Sequence, residues 1–238
     1  THKKLMQSEI VQNVEIENLC RLQKASCQQI GESMYIFGGF DGKAYVNHLY
    51  KYQVDTRRVT EIKTTESPAA RGQHASCVIG SKMYIHGGCD DATFFDDLWE
   101  FDSLTSEFKK LQLSFKYAKP QLMGHSMAQF GQDLLIFGGC KPNKKLESVY
   151  YTVQLQELQM LQQCDPDGPQ SVVNSQLVNL QGQTYLIFGF NKDFVNEIWR
   201  IAPNRRWQQL KIQKNAPVGR ANHTCVAFNN QIFLFGGG

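Results

Sequence analysis

Two features that would decide a protein's partners are absent from this sequence: a long apolar segment and a strong excess of one charge. No run of eighteen apolar residues occurs, so we expect no segment to insert into a membrane. The 25 lysines and arginines nearly balance the 22 aspartates and glutamates, which leaves a net charge of +3. A chain this close to neutrality has no general attraction to polyanions, and we expect no nucleic acid partner.

The motifs that usually reveal catalysis or metal binding are missing as well. There is no P-loop, no G-x-S-x-G and no H-E-x-x-H, and the seven cysteines include no C-x-x-C pair. Cys27 and Cys77 each end an Ala-Ser-Cys triplet, which indicates matching core positions rather than a disulfide. We therefore predict a protein that is not an enzyme, binds no metal or other cofactor and resides in the reducing cytoplasm.

A short apolar run that ends in glycine occurs five times along the chain. Its first glycines are separated by 49, 51, 51 and 47 residues, and this regular spacing indicates one repeated structural unit. The glycines of the motif are Gly38 and Gly39, Gly87 and Gly88, Gly138 and Gly139, Gly189 followed by Phe190, and Gly236 and Gly237. Because glycine has no Cβ atom, these positions predict tight turns where neighbouring backbones approach closely.

Each unit is predicted to form four short strands. In the second unit these are 75–79, the run that ends at Gly87, 98–101 and 108–111. The run before the glycine is apolar at consecutive positions, so both of its faces must be covered. Stacking four-stranded sheets around an axis covers both faces. We therefore predict an all-β propeller with about five four-stranded blades, which either closes by itself or belongs to a six-bladed or larger ring.

Residues around the glycine motif follow the same period. The pattern Pro-x-x-Arg-x-x-His occurs at 68–74 and again at 217–223, and Leu98-Trp99 and Ile198-Trp199 follow the glycines at a similar distance. This combination resembles the kelch repeat over roughly residues 19–238. The resemblance implies a β-propeller that binds proteins, as a cytoskeletal or signalling scaffold or as the substrate receptor of a ubiquitin ligase. A metal-dependent or sugar-processing propeller enzyme is the further alternative.

The period predicts one domain that covers residues 1–238. Its repeat units are expected at about 21–66, 67–117, 118–166, 167–214 and 215–238. The fifth unit contains only the first two strands. Either residues 1–20, which alternate apolar and polar side chains, complete the last blade, or the chain belongs to a longer protein with further blades.

Histidine and arginine also keep the period. One histidine stands thirteen residues before the first glycine in three units: His74, His125 and His223. Because every blade poses the same packing problem, we expect these histidines to be structural, with an axial metal site as the alternative. An arginine precedes the first strand in three units: Arg21, Arg71 and Arg220. Each could pair with a carboxylate of its own blade or present its guanidinium to an acidic partner.

The loops after the glycines vary far more than the strands. Variable loops on a constant scaffold are typical of recognition surfaces, and aromatic and arginine side chains are common at the centre of interfaces. We therefore predict a protein partner on this face, with oligomeric state left open. The predicted partner-binding residues are Arg21, Arg71, Arg220, Tyr45, Phe94, Phe95, Lys144, Lys145 and Phe194.

Overall fold

A computed structural model describes residues 22–212 and 217–238. Within these ranges the chain forms nineteen β-strands, and none of the described residues forms a helix that could span a membrane. The strands form four complete antiparallel sheets and one strand pair, here called blades 1 to 5 in chain order. The all-β propeller predicted from the repeats is confirmed.

Within each blade the strands follow chain order from the axis outward. Blade 1 contains β1 (Ser26–Ile30), β2 (Ser33–Phe37), β3 (Leu49–Gln53) and β4 (Arg58–Ile62). Blade 2 contains β5 (Ala75–Ile79), β6 (Lys82–His86), β7 (Leu98–Asp102) and β8 (Glu107–Leu111). A short strand, β9 (Ser114–Phe115), precedes blade 3 and pairs in parallel with the outermost strand of that blade.

Blade 3 contains β10 (Ser126–Phe130), β11 (Asp133–Phe137), β12 (Tyr150–Gln154) and β13 (Gln159–Gln163). Blade 4 contains β14 (Gln176–Leu180), β15 (Gln183–Ile187), β16 (Ile198–Ile201) and β17 (Trp207–Leu210). Blade 5 contains β18 (His223–Phe228) and β19 (Gln231–Gly236). Residues 1–20 lie outside the described ranges, so the prediction that they complete the last blade is not tested.

The core lies between blades, as the consecutive apolar positions of the second strands predict. On β6, Met83 and Ile85 pack against blade 1, whereas Tyr84 packs in the cluster shared with blade 3. The first strands of successive blades contact one another from β1 through β18. Fully burying one such apolar side chain contributes about 1.5–3 kcal/mol, so each blade depends on its neighbours for stability.

The glycine pairs end the second strands in the left-handed region of φ. Gly87 has φ 63° and Gly88 has φ 87°. A Cβ atom on Gly88 would lie 2.7 Å from the carbonyl oxygen of Gly72, so the chains could not approach this closely with any other residue. The predicted reason for the doublet is therefore correct in blade 2.

Blade 4 departs from the register that the sequence suggested. The N–H of Gly189 donates to the next blade as that of Gly39 does, so Gly189 matches the second glycine of the doublet and not the first. Phe188 takes the place of the first glycine at φ 52°, a value rare for a bulky side chain. Its ring is buried against His223, with ring centroids 5.9 Å apart.

Blade 1 also differs from the expected register. Ser26 and Ala75 are equivalent, since each pairs with the residue before the first glycine of its unit, and they are 49 residues apart. The two Ala-Ser-Cys triplets are 50 residues apart. Cys27 is therefore exposed and Cys77 is buried, because a shift of one residue moves a side chain to the opposite face of a strand. The prediction that the two cysteines occupy matching core positions is wrong.

Candidate interaction surface

Two sets of loops meet at the glycine end of every blade and form one surface, here called the loop face. The first set joins the second and third strands: residues 40–47, 89–96, 140–148 and 190–196. The second set leads into the first strands: residues 22–24, 71–73, 122–124, 172–174 and 220–222. In each complete blade one residue from each set forms a single antiparallel bridge, for example Gly72 with Cys89.

Backbone hydrogen bonds tie the loop face of each blade to the next one. The second glycine of a blade donates its N–H to the following blade: Gly39 to Arg71 O at 2.8 Å, Gly88 to Leu122 O at 2.8 Å, Gly139 to Val172 O at 2.8 Å and Gly189 to Arg220 O at 3.0 Å. These bonds use no side chain, so they hold the frame constant while the loop sequences vary.

A second chain of backbone hydrogen bonds runs around the axis. Its members have positive φ and lie one or two residues before the first strands: Lys24, Gln73, Gly124, Asn174 and Asn222. Each of the last four donates its N–H to the carbonyl of the preceding member at 2.7–3.2 Å. Non-glycine residues in this conformation cost of order 1 kcal/mol or more each, and the bonds between blades hold them there.

These residues surround an axial cavity of about 380 Å³ that opens on the loop face. Its lining is mainly polar and includes Lys24, Gln73, Asn174, Ser175 and Asn222. Amide and hydroxyl groups donate and accept hydrogen bonds, and Lys24 adds one positive charge. The cavity can therefore receive a polar or acidic group of a partner.

The structure places the repeated histidines between blades, beside this cavity. His74 Nε2 shares a hydrogen bond of 2.7 Å with Ser26 Oγ of the preceding blade, and its ring contacts Phe37 edge-on. Burial is the main reason that the pKa of His74 falls to about 3, with the charge of Arg71 adding to the effect. His74 is therefore neutral near pH 7 and acts as a connection between two blades.

His86 replaces a phenylalanine of the repeat and restores this connection in blade 2. Ala75 stands where blade 1 has Ser26, so His125 finds no hydroxyl group there. Instead His86 Nδ1 and His125 Nε2 form a hydrogen bond of 3.0 Å. Burial lowers the pKa of His86 to about 4. A histidine at a phenylalanine position was the sequence signal for this pair, and sequence reasoning missed it.

Arg71 is completely buried and does not present its guanidinium to a partner. Its Nη1 and Nη2 donate to the two carboxylate oxygens of Asp97 at 2.6 and 3.2 Å, and its Nη1 also donates to the carbonyl of Gly87 at 3.0 Å. The ring of Phe95 lies 3.9 Å from its Cζ atom. Burial alone would raise the pKa of Asp97, but its hydrogen bonds with Arg71 hold that pKa below the usual value. Arg71 thus belongs to the interior of blade 2, and the half-buried ring of Phe95 covers its guanidinium.

Of the other two predicted arginines, only Arg220 lies among the described residues. Arg21 lies outside the described residues. In blade 1 the position equivalent to Arg71 is occupied by Leu22, because Leu22 and Arg71 lie 49 residues apart, as Ser26 and Ala75 do. Arg220 is partly exposed and donates to the carbonyls of Val218 and Gly236. Sequence spacing alone could not separate the buried Arg71 from the partly exposed Arg220.

The predicted loop aromatics differ in exposure. Tyr45 lies on the backbone of Gly72 in the next blade, and Phe94 is half-buried. Phe194 is 50% exposed and forms an edge-on pair with Phe190, with ring centroids 5.4 Å apart. Phe190 was not predicted as a binding residue. The two rings are here called the Phe190–Phe194 pair, and they supply exposed aromatic area in blade 4.

The predicted lysines Lys144 and Lys145 lie exposed at the tip of the blade 3 loop. In the same loop Glu147 is buried, accepts a hydrogen bond from Tyr151 Oη at 2.6 Å and forms an ion pair with Lys141 Nζ at 2.9 Å. Neither Lys144 nor Lys145 has a carboxylate within 4.0 Å among the described residues. They therefore add positive charge to the loop face.

Within residues 22–212 and 217–238, no cluster of three histidine, cysteine, aspartate or glutamate side chains could hold a metal ion. Two of the repeated histidines, His74 and His125, use Nε2 toward the preceding blade. The ring nitrogens therefore face separate blade interfaces and do not converge on one point.

Comparison with known proteins identifies the repeat. Residues 24–237 match the family described as the KLHDC2/KLHL20/DRC7 Kelch-repeats domain. A similar protein is the dynein alpha chain of the flagellar outer arm from Chlamydomonas reinhardtii, which is 26% identical over 128 residues. That match covers 48% of this chain but only 3% of the dynein chain.

Proposed function

Because this chain belongs to the kelch-repeat family, we propose that it is a protein-interaction module that receives an extended segment of a partner on the loop face. The observation that carries the proposal is the contrast between the constant backbone frame around the axis and the variable loops above it. The frame sets the geometry, and the loops supply the recognition chemistry.

The proposed binding site comprises the axial cavity, the Phe190–Phe194 pair and the lysine pair Lys144 and Lys145. Partly exposed aromatic rings bury a large area at a small cost in conformational entropy, which suits them to the centre of an interface. The lysines and Lys24 favour a partner with acidic residues. We therefore propose a partner segment that combines an apolar side chain with negative charge.

We propose that the module does not catalyse a reaction. The histidines that repeat around the axis make structural hydrogen bonds between blades. An active site needs an acid, a base and a nucleophile with different roles, whereas these residues have the same role in each blade. Stoichiometric iron or copper in the purified protein, or turnover of a sugar substrate, would support the enzyme alternative.

We further propose a cytoplasmic scaffold role over that of a ubiquitin-ligase receptor, and one propeller domain over residues 1–238. The relative named as a flagellar dynein chain supports a cytoskeletal setting, although it shares only part of its sequence with this chain. Co-sedimentation with microtubules, compared with co-purification of ligase subunits, separates the two roles.

Affinity capture from cell extract with quantitative mass spectrometry tests the loop face. The double substitution of Phe190 and Phe194 by serine should reduce capture of specific partners at least tenfold. Truncation of a side chain at the centre of an interface typically lowers the binding free energy by about 2 kcal/mol or more. Leu104→Ser is the matched control, because Leu104 is 81% exposed in the turn between β7 and β8 at the opposite end of the blade. Equal partner recovery with both variants would refute the proposed site.

A further inference from the structure

The loop face carries opposite charges on two neighbouring blades. The loop of blade 2, residues 89–96, contains three aspartates and no lysine or arginine, and it is here called the acidic loop. The loop of blade 3, residues 140–148, presents Lys144 and Lys145 and is here called the basic loop. Its one glutamate is buried and already paired with Lys141. In the part of the chain that the structure describes, none of the three aspartates belongs to an ion pair: Asp90, Asp91 and Asp96.

Both charged loops are closed by their own hydrogen bonds. In the acidic loop Asp90 Oδ1 accepts the backbone N–H of Ala92 at 2.8 Å and that of Thr93 at 2.6 Å. In the basic loop the N–H of Lys141 donates to the carbonyl of Lys145 at 2.9 Å. Loops that are ordered before binding lose little conformational entropy when a partner arrives.

The acidic loop also contacts the segment that enters blade 3. Gln121 Nε2 donates to the carbonyl of Phe94 at 3.1 Å, and Cys89 Sγ lies 3.6 Å from Met123 Sδ. These contacts fix the position of the acidic loop relative to blade 3. The negative and positive loops therefore lie side by side in a constant arrangement.

An aromatic pair lies on each side of this charge boundary. In blade 1 the rings of Phe40 and Tyr45 meet edge-on with centroids 5.4 Å apart, the same distance as in the Phe190–Phe194 pair of blade 4. The loops that carry these pairs, residues 40–47 and 190–196, each contain one lysine and one aspartate and have no net charge. From blade 1 to blade 4 the loop face is thus aromatic, acidic, basic and aromatic.

This order is complementary to itself. A half-turn about a line that lies in the loop face along the boundary between blades 2 and 3 exchanges blade 2 with blade 3 and blade 1 with blade 4. Applied to a second copy, it places each acidic loop on a basic loop and each aromatic pair on another aromatic pair. A twofold interface uses the same patch on both subunits, so it requires a patch of this kind.

We propose that two copies of this chain associate face to face through their loop faces about this twofold axis. Each charged contact and each aromatic contact then occurs twice, and the charges set the register while the rings supply apolar area. A second copy satisfies both charged loops at once, whereas a segment with charges of one sign can satisfy only one of them. The pairing goes beyond the proposed function, and the second copy competes with the partner segment for the same face.

Sedimentation equilibrium of the 238-residue chain tests this pairing. We expect a monomer–dimer equilibrium in 0.1 M salt. Its dissociation constant should rise about tenfold or more in 1 M salt, because the Debye length falls from about 10 Å to about 3 Å. A chain that is monomeric over the whole micromolar range, or a dimer that is insensitive to salt, would overturn the proposal.

Charge exchange tests the predicted register. The double variants Lys144→Glu with Lys145→Glu, and Asp91→Lys with Asp96→Lys, should each be monomeric, because like charges then meet twice. An equimolar mixture of the two should form a heterodimer, since every charged contact is attractive again. The matched control is Arg57→Glu with Arg58→Glu, which makes the same charge change at exposed positions at the end of β3 and β4 away from the loop face.

The control should dimerise like the parent chain and should gain no affinity for the Asp91→Lys, Asp96→Lys variant beyond that of the parent. Equal loss of dimer in the control, or no heterodimer in the mixture of exchanged variants, would contradict the twofold arrangement. A monomeric chain whose capture of partners still depends on the Phe190–Phe194 pair would overturn the dimer alone and leave the proposed function standing.

Discussion

Substitution of Asp97 by asparagine removes the negative charge that faces the buried guanidinium of Arg71. The Arg71 side chain is completely buried, and the Asp97 side chain is 11% exposed. Removing one member of a buried ion pair costs about 3–5 kcal/mol, because the remaining charge stays desolvated without its partner. We expect Asp97→Asn to lower the free energy of unfolding by about this amount.

Urea denaturation followed by tryptophan fluorescence measures this effect directly, since Trp99 donates its indole N–H to Asp97. Asp96→Asn is the matched control, because Asp96 precedes the pair but has no contact with Arg71. The double variant Arg71→Met with Asp97→Leu should recover much of the loss, as a buried pair can be replaced by apolar groups of similar volume. A loss below 1 kcal/mol for Asp97→Asn, or no recovery in the double variant, would refute this account of the pair.

Two further predictions concern pH and thiol chemistry. The pKa values of His74 and His86 are about 3 and 4 in the folded chain, below the ordinary 6.5, so the unfolded state binds protons first as the pH falls. The stabilisation that comes from keeping these histidines neutral is fully present above about pH 6.5 and is lost as the pH falls toward 4. Each histidine should lower the free energy of unfolding by about 2 kcal/mol between pH 7 and pH 5. An unchanged urea midpoint over that window would contradict the neutral, buried histidines. In thiol labelling of the native protein, Cys27 should react because it is exposed, and the buried Cys77 should stay protected until the chain unfolds; burial raises the pKa of both thiols, so exposure decides the difference. Equal rates would contradict the one-residue shift of blade 1.

The propeller could be predicted from local pattern because each blade solves the same packing problem with the same residues. The spacing of glycines such as Gly38 and Gly87 reports the size of the unit, and the apolar run before each reports a strand that is covered on both faces. Neither inference requires knowledge of which blade touches which. The fold therefore follows from local sequence pattern.

The candidate site was less predictable, because equal spacing along the chain does not imply equal surroundings. Arg71 has Asp97 in its own blade, whereas Arg220 lacks such a carboxylate among the described residues. Phe190 looked like a defect in the glycine doublet, although Phe188 is the residue that replaces a glycine. Burial and pairing depend on residues 20 to 50 positions away, and no local pattern contains them.

The repeating unit, its four strands and the stacking that shields their apolar faces follow from the amino-acid sequence alone, because these depend on periodic hydrophobicity and on glycine at turns. Contacts between blades in the folded chain settle which repeated arginine is buried and which histidines connect neighbouring blades. The register of the folded strands places Cys27 and Cys77 on opposite faces. Those outcomes depend on a register of one residue and on contacts between blades, where burial and electrostatic pairing are set by the neighbour.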